Sequence, residues 1–164
     1  SYDVVMRNAA PLLALQRLQD LHARHGRALS LVGWSTGGLY ARELARARPA
    51  CVRRVITFGS PIHPHESGDA LVSRFRAAFE GFLATVGKAS FEASPDAPPV
   101  PCTAIHSRSD GVVAWRAALE ADAPHTENLA VDGSHLALGY NLEVLRLVAA
   151  RLAIDPARRA PRQR

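Results

Sequence analysis

The sequence predicts an α/β fold: a mostly parallel sheet with helices on both faces. Apolar runs of strand length alternate with stretches whose apolar residues recur every three or four positions, the pattern of strand–helix–strand units. At one junction the run Ala28-Leu29-Ser30-Leu31-Val32 passes through Gly33-Trp34-Ser35-Thr36-Gly37 into Gly38-Leu39-Tyr40-Ala41-Arg42-Glu43-Leu44-Ala45, a strand that turns sharply into a helix. The chain has 164 residues, 48% of them hydrophobic, which is enough for one domain with a real core.

The elements follow in order. Leu12, Leu13, Leu15, Leu18 and Leu21 form an apolar stripe at helical spacing, with Pro11 suited to the first turn and Gly26 to the end. Ahead of them, Tyr2-Asp3-Val4-Val5 reads as the remnant of one earlier strand. A strand at about 28–34 leads to a helix at about 37–48, stopped before Pro49. Val52 to Phe58 reads as a second strand, ended by Gly59-Ser60-Pro61. Pro101 to His106 reads as a third strand and Thr126 to Val131 as a fourth. The last helix, about 141–153, sets Leu142, Leu145, Val148, Ala149 and Leu152 on one face behind Asn141, a suitable N-cap.

Residues 62–100 break the rhythm, being far longer than a simple crossover needs. They hold an amphipathic helix with Leu71, Val72, Phe75, Phe79, Phe82, Leu83 and Val86, then a proline-rich connector from Pro95 to Pro101. Two readings stand side by side: a crossover helix packed on the sheet, and a small cap whose aromatic face lines an acyl pocket. The expected organisation is therefore a core over 1–154 with a cap-like insertion at 62–100, and a disordered basic tail at 155–164.

Charge and cysteine content exclude several classes. Of the formal charge of +5, four arginines and one aspartate at 155–164 supply +3, leaving little for the rest. No aromatic residue interleaves with those arginines, so no nucleic-acid partner is expected. No apolar run approaches the roughly 20 residues that cross a bilayer. No secretory leader opens the chain, so a cytoplasmic location is expected; the chain begins at Ser1, and upstream sequence is expected to be missing. Cys51 and Cys102 have no metal-ligand spacing around them, and neither metal nor cofactor is implied. They read as two small buried thiols, although both stand near the starts of strands that can be neighbours, which leaves a disulfide open.

The chemistry begins at Ser35. A serine at a strand-to-helix turn, with glycines at positions 33 and 37, has the form of a nucleophile elbow. The serine is expected in a strained backbone conformation, with a side chain at either glycine colliding where strand and helix pass. The helix N-terminus then lies where negative charge develops in acyl transfer. A serine hydroxyl needs a base, and the base an orienting carboxylate, each placed after a later strand. His135 follows the fourth strand in Val131-Asp132-Gly133-Ser134-His135 and is the best-placed base. His22, His25, His63, His65, His106 and His125 are worse placed. Asp110, in His106-Ser107-Arg108-Ser109-Asp110-Gly111-Val112-Val113 beyond the third strand, is the best-placed acid, and Asp132 the runner-up. Asp-Gly is also an ordinary turn signal.

Together these residues resemble the α/β-hydrolase family, and among its members the bacterial lipases and esterases. The similar strings are Leu31-Val32-Gly33-Trp34-Ser35-Thr36-Gly37-Gly38, Ile56-Thr57-Phe58-Gly59-Ser60-Pro61, Ser107-Arg108-Ser109-Asp110-Gly111-Val112-Val113 and Gly133-Ser134-His135-Leu136-Ala137-Leu138-Gly139, over about residues 7–153. The resemblance implies Ser35 as nucleophile, Asp110 as acid, His135 as base and the Thr36 N–H as one oxyanion donor. It implies hydrolysis of a small-molecule ester, lipid-like if the insertion lines the site, or acyl transfer with the same triad. Family members carry more strands before the elbow, and a loop there supplies the second oxyanion N–H. No such loop is found here, so the fold is expected to be N-terminally truncated. An uncovered sheet edge would then allow self-association, and a non-catalytic module that binds a ligand or pairs with another chain is the alternative reading.

Overall fold

The computed structural model describes residues 2–63 and 96–154, with side chains from Leu13 onward. The helix expected at 71–86, most of the 62–100 insertion, His65 and the basic tail at 155–164 lie outside these residues.

The chain opens with helix α1, Tyr2–His25. Gly26 ends it at φ 63°, donating its N–H to the His22 carbonyl at 2.9 Å, the left-handed stop that glycine adopts without a Cβ penalty. The remnant strand expected at Tyr2-Asp3-Val4-Val5 is therefore helical instead, and Pro11 lies inside the helix and not in its first turn. Val4 and Val5 favour a strand only when a neighbouring strand pairs with them. Met6 to Ala10 carry no glycine, proline or β-branched residue to stop the Leu12–Leu21 helix from running back through them.

Strand β1 (Leu29–Trp34) leads through Ser35 into α2 (Thr36–Ala47). A single 3₁₀ turn at Pro49–Cys51 precedes β2 (Val52–Phe58). After the insertion come β3 (Cys102–Ser107), a 3₁₀ turn at Trp115–Ala118, β4 (Thr126–Val131), a short helix α3 (His135–Leu138) and the last helix α4 (Leu142–Ala153). Asn141 caps α4, its side-chain oxygen accepting the Glu143 N–H at 2.8 Å.

Among the described residues the sheet has four strands, all parallel, in chain order β1-β2-β3-β4. Adjacent residues of β2 point to opposite faces, as the period of two requires. Val55 and its partner Cys102 join Leu18, Ala41 and Ala45 under α1 and α2. Ile56 lies on the other face with Ile105, Val131, Leu138 and Val144, against α3 and α4. Helices thus cover both faces, and β2 and β3 are buried almost throughout. No helix among the described residues is long and apolar enough to cross a membrane.

One row of the register sets up everything that follows. Trp34, Phe58, Ile105 and Leu129 are successive partners across the four strands. Ser35, Gly59, Asp110 and His135 all lie beyond that row, on the carboxyl-end rim where open α/β sheets place their sites.

Cys51 and Cys102 are both buried and free. Cys102 pairs with Val55, so about 10 Å of strand separates the levels of the two thiols, more than a disulfide spans. Burial pushes the Cys102 thiol up to about 12, with the nearby Glu120 charge adding to it.

Ile56 is fully buried between β1 and β3, whereas Leu142 is 66% exposed. Ile56→Ala is expected to lower unfolding stability by about 2–5 kcal/mol, and Leu142→Ala by no more than about 0.5 kcal/mol. Urea denaturation of the two variants measures both.

Candidate active site

Ser35 sits at φ 53° and ψ −128°, the only non-glycine residue at positive φ among those described. Its N–H donates to the Phe58 carbonyl at 3.0 Å, extending the β1–β2 ladder one step past the strand. Its own carbonyl accepts the Gly38 N–H at 3.1 Å. Thr36 opens α2, so its N–H has no acceptor within the helix.

The glycines divide differently from the sequence expectation. A Cβ on Gly33 would fall 2.5 Å from Gly38 Cα, against backbone that cannot yield. A Cβ on Gly37 would meet nothing within 4 Å among the described residues, so the collision expected there does not occur. The second tight contact belongs to Gly38, where a Cβ would lie 2.8 Å from Ser60 Cβ and 3.0 Å from Thr57 Cγ2. Gly37 faces outward on α2, while Gly38 faces the end of β2.

His135 reaches Ser35 from the far side of the sheet. Its Nε2 lies 3.0 Å from Ser35 Oγ, and its Nδ1 lies 2.9 Å and 3.1 Å from Asp110 Oδ2 and Oδ1. The Asp110 carboxylate can only accept, so Nδ1 carries the proton and donates it. On the neutral ring Nε2 is then a bare acceptor facing the Ser35 hydroxyl. Both His135 and Asp110 are buried.

The local sequence fixes this pair. Asp110 Oδ1 accepts the backbone N–H groups of Val112 at 2.9 Å and Val113 at 2.6 Å, an Asx-type turn that anchors the carboxylate. The Asp110 carbonyl accepts the His135 N–H at 2.8 Å, tying the loop after β3 to the start of α3. Asp-Gly is thus both the turn signal and the acid's mooring. Asp132, the runner-up acid, is exposed, and its carbonyl accepts from the Asn141 side chain at 2.7 Å.

The other histidines take different places. His22 lies against the Arg27 carbonyl and His125 against the Pro98 carbonyl. The His63 N–H donates to the Ala117 carbonyl.

Two residues at the site escaped the sequence reading. Trp34, the variable position of the elbow motif, sets its ring 5.7 Å from that of His135 at a 35° tilt and also lies against Gly139. Gly59 stands at φ 55°, and a Cβ there would lie 3.2 Å from Asp110 Oδ2 and 3.3 Å from His135 Cε1. The available signal was a glycine directly after a buried strand on the rim.

Comparison with solved structures agrees with this architecture. The chain is similar to a Bacillus licheniformis lipase, BlEst2, at a TM-score of 0.61 and 15% identity over 90% of this chain and 75% of that one. An alpha/beta hydrolase fold protein from Nakamurella multipartita matches at 0.56 and 17% identity over 88% and 75% of the two chains. The chain has the α/β-hydrolase fold. A monoacylglycerol lipase from Paleococcus ferrophilus matches at 0.56 and 12% identity, over 85% of this chain and 72% of that one. No protein-family model and no curated relative matches the sequence.

His106 closes β3 beneath the rim, buried and stacked on Trp115. Burial, and then the Arg108 charge, holds its imidazole below the ordinary 6.5. A folded-state value below the unfolded one means that unfolding takes up a proton in acid. The stability this contributes is complete above pH 6.5 and is lost as the pH falls through the depressed folded value. His106→Phe keeps a stacked ring without the titration. Its denaturation midpoint is expected to fall less steeply than the wild type's below pH 6.5, as a pH series of urea melts would show. Gly59→Ala is expected to cost about 1–2 kcal/mol through its left-handed backbone alone. Crowding should also disturb the His135 ring, which the shift of its Cε1–H resonance would report.

Proposed function

We propose that this chain is a serine hydrolase that cleaves carboxylic esters through an acyl-enzyme on Ser35. The observation that carries this reading is the continuous hydrogen-bonded line from Asp110 through His135 to Ser35 Oγ. His135 Nε2 takes the hydroxyl proton as Oγ attacks the acyl carbonyl. The Thr36 N–H at the head of α2 donates to the oxyanion. Asp110 steadies the imidazolium, which returns its proton to the departing alcohol. Water then loses a proton to His135 and attacks the acyl-enzyme, releasing the acid and restoring Ser35.

The ester class takes its support from similar structures named as lipases. Trp34, 38% exposed, and Leu136, 67% exposed, present apolar surface beside His135. That surface suits a hydrophobic group on the substrate.

A fluorophosphonate probe should label the wild-type chain, and Ser35→Ala should abolish labelling. A well-folded wild type that takes no label sinks the reading. Asp110→Asn leaves the shape but offers Nδ1 the wrong partner, and hydrolysis of a p-nitrophenyl ester should fall by about 10⁴-fold.

A further inference from the structure

Two arginines gather on one tryptophan just outside the loop that carries Asp110. The guanidinium carbon of Arg108 lies 5.0 Å from the Trp115 ring centroid, and that of Arg116 lies 4.5 Å from it. Both arginines are exposed. Elsewhere, arginines meet acids: Arg42 pairs with Glu120, Arg46 with Glu43 and Arg151 with Glu127. Among the described contacts, Arg108 and Arg116 meet no carboxylate. Asp110, two residues from Arg108, is not available to them. One of its oxygens holds the Val112 and Val113 N–H groups, and both face His135.

Among the described residues, then, this patch gathers two positive charges with no carboxylate paired to either. His106 lies beside the patch. Its ring stacks on Trp115 at 5.8 Å and 26°, its Nδ1 is buried with no hydrogen-bond partner, and the Arg108 charge opposes its protonation. The platform is also rigid. Ser107 Oγ accepts the Ser109 N–H at 3.2 Å, Asp110 moors the next turn, and the Ala117 carbonyl holds the His63 N–H at 2.8 Å. A guanidinium already held against a ring loses less freedom when an anion docks on it.

We propose that Arg108 and Arg116, braced on Trp115, form a binding site for an oxyanion, the phosphate or carboxylate group of a small ligand. Either group accepts paired N–H donors from a guanidinium. The site is separate from Ser35 and does not depend on the hydrolase reading.

The sequence has two tryptophans, so indole N–H resonances provide both a reporter, Trp115, and an internal control, Trp34. Inorganic phosphate and acetate are titrated separately at an ionic strength held constant with sodium chloride. Saturable movement of the Trp115 resonance with a static Trp34 resonance is the expected result. Saturation by phosphate alone assigns the site to phosphate groups, and saturation by acetate alone assigns it to carboxylates. The double variant R108Q/R116Q, its fold checked by an unchanged Trp34 resonance, should weaken binding by about tenfold or more. Ser35→Ala should bind as the wild type does, which separates this site from the triad. No saturable movement with either anion, equal movement with chloride, or undiminished binding in R108Q/R116Q would overturn the proposal.

Discussion

The close approach of β1, α2 and the end of β2 is the constraint on which the rest of the site depends. Gly33 lies against the backbone of Gly38, and Gly38 against Ser60 and Thr57, so three segments meet with no room for a Cβ at either glycine. That meeting holds Ser35 at φ 53°, a conformation that costs on the order of 1–3 kcal/mol outside glycine. The Ser35 N–H bond to the Phe58 carbonyl offsets part of that cost. The result is a hydroxyl standing on the rim, one residue past the row that aligns all four strands. His135 and Asp110 meet it because the same parallel register brings the ends of β3 and β4 to the same level.

Much of this was legible in the residues. β2 and β4 run as expected, Val52–Phe58 and Thr126–Val131, because β-branched and apolar residues gather in short segments bounded by turn residues. The Asn141 cap was readable because its side chain acts within two residues of itself. Ser35, Asp110 and His135 were readable as a group because each follows a strand, and parallel strands put all such positions on one edge.

What stayed hidden depends on contacts between distant segments. Gly33, Gly37 and Gly38 look alike in sequence, and only the position of Ser60 shows that Gly38 carries the constraint assigned to Gly37. Tyr2 to Val5 carry strand-forming valines, yet the helical residues behind them extend α1 to the start of the described chain. The 3₁₀ turn Trp115–Ala118 has too few residues to show a period. Trp34 and Gly59 gain their meaning from His135, which is distant from both in sequence and meets them only across the rim.

The loop after β3 separates two electrostatic tasks by direction. Its acid turns inward, and backbone N–H groups, not a guanidinium, hold the Oδ1 of the carboxylate that faces His135. Had Arg108 paired with Asp110, its full charge beside the carboxylate would have competed with the imidazolium for the same oxygens. Backbone dipoles orient the carboxylate with far less competition, and the pair Asp110–His135 keeps its coupling in a buried setting. The arginines are thereby left outside, two and six residues from Asp110 in sequence but exposed, and paired with no carboxylate among the described residues. One short segment, Arg108 to Arg116, thus turns a buried carboxylate to the Ser35 rim and two exposed guanidinium groups away from it.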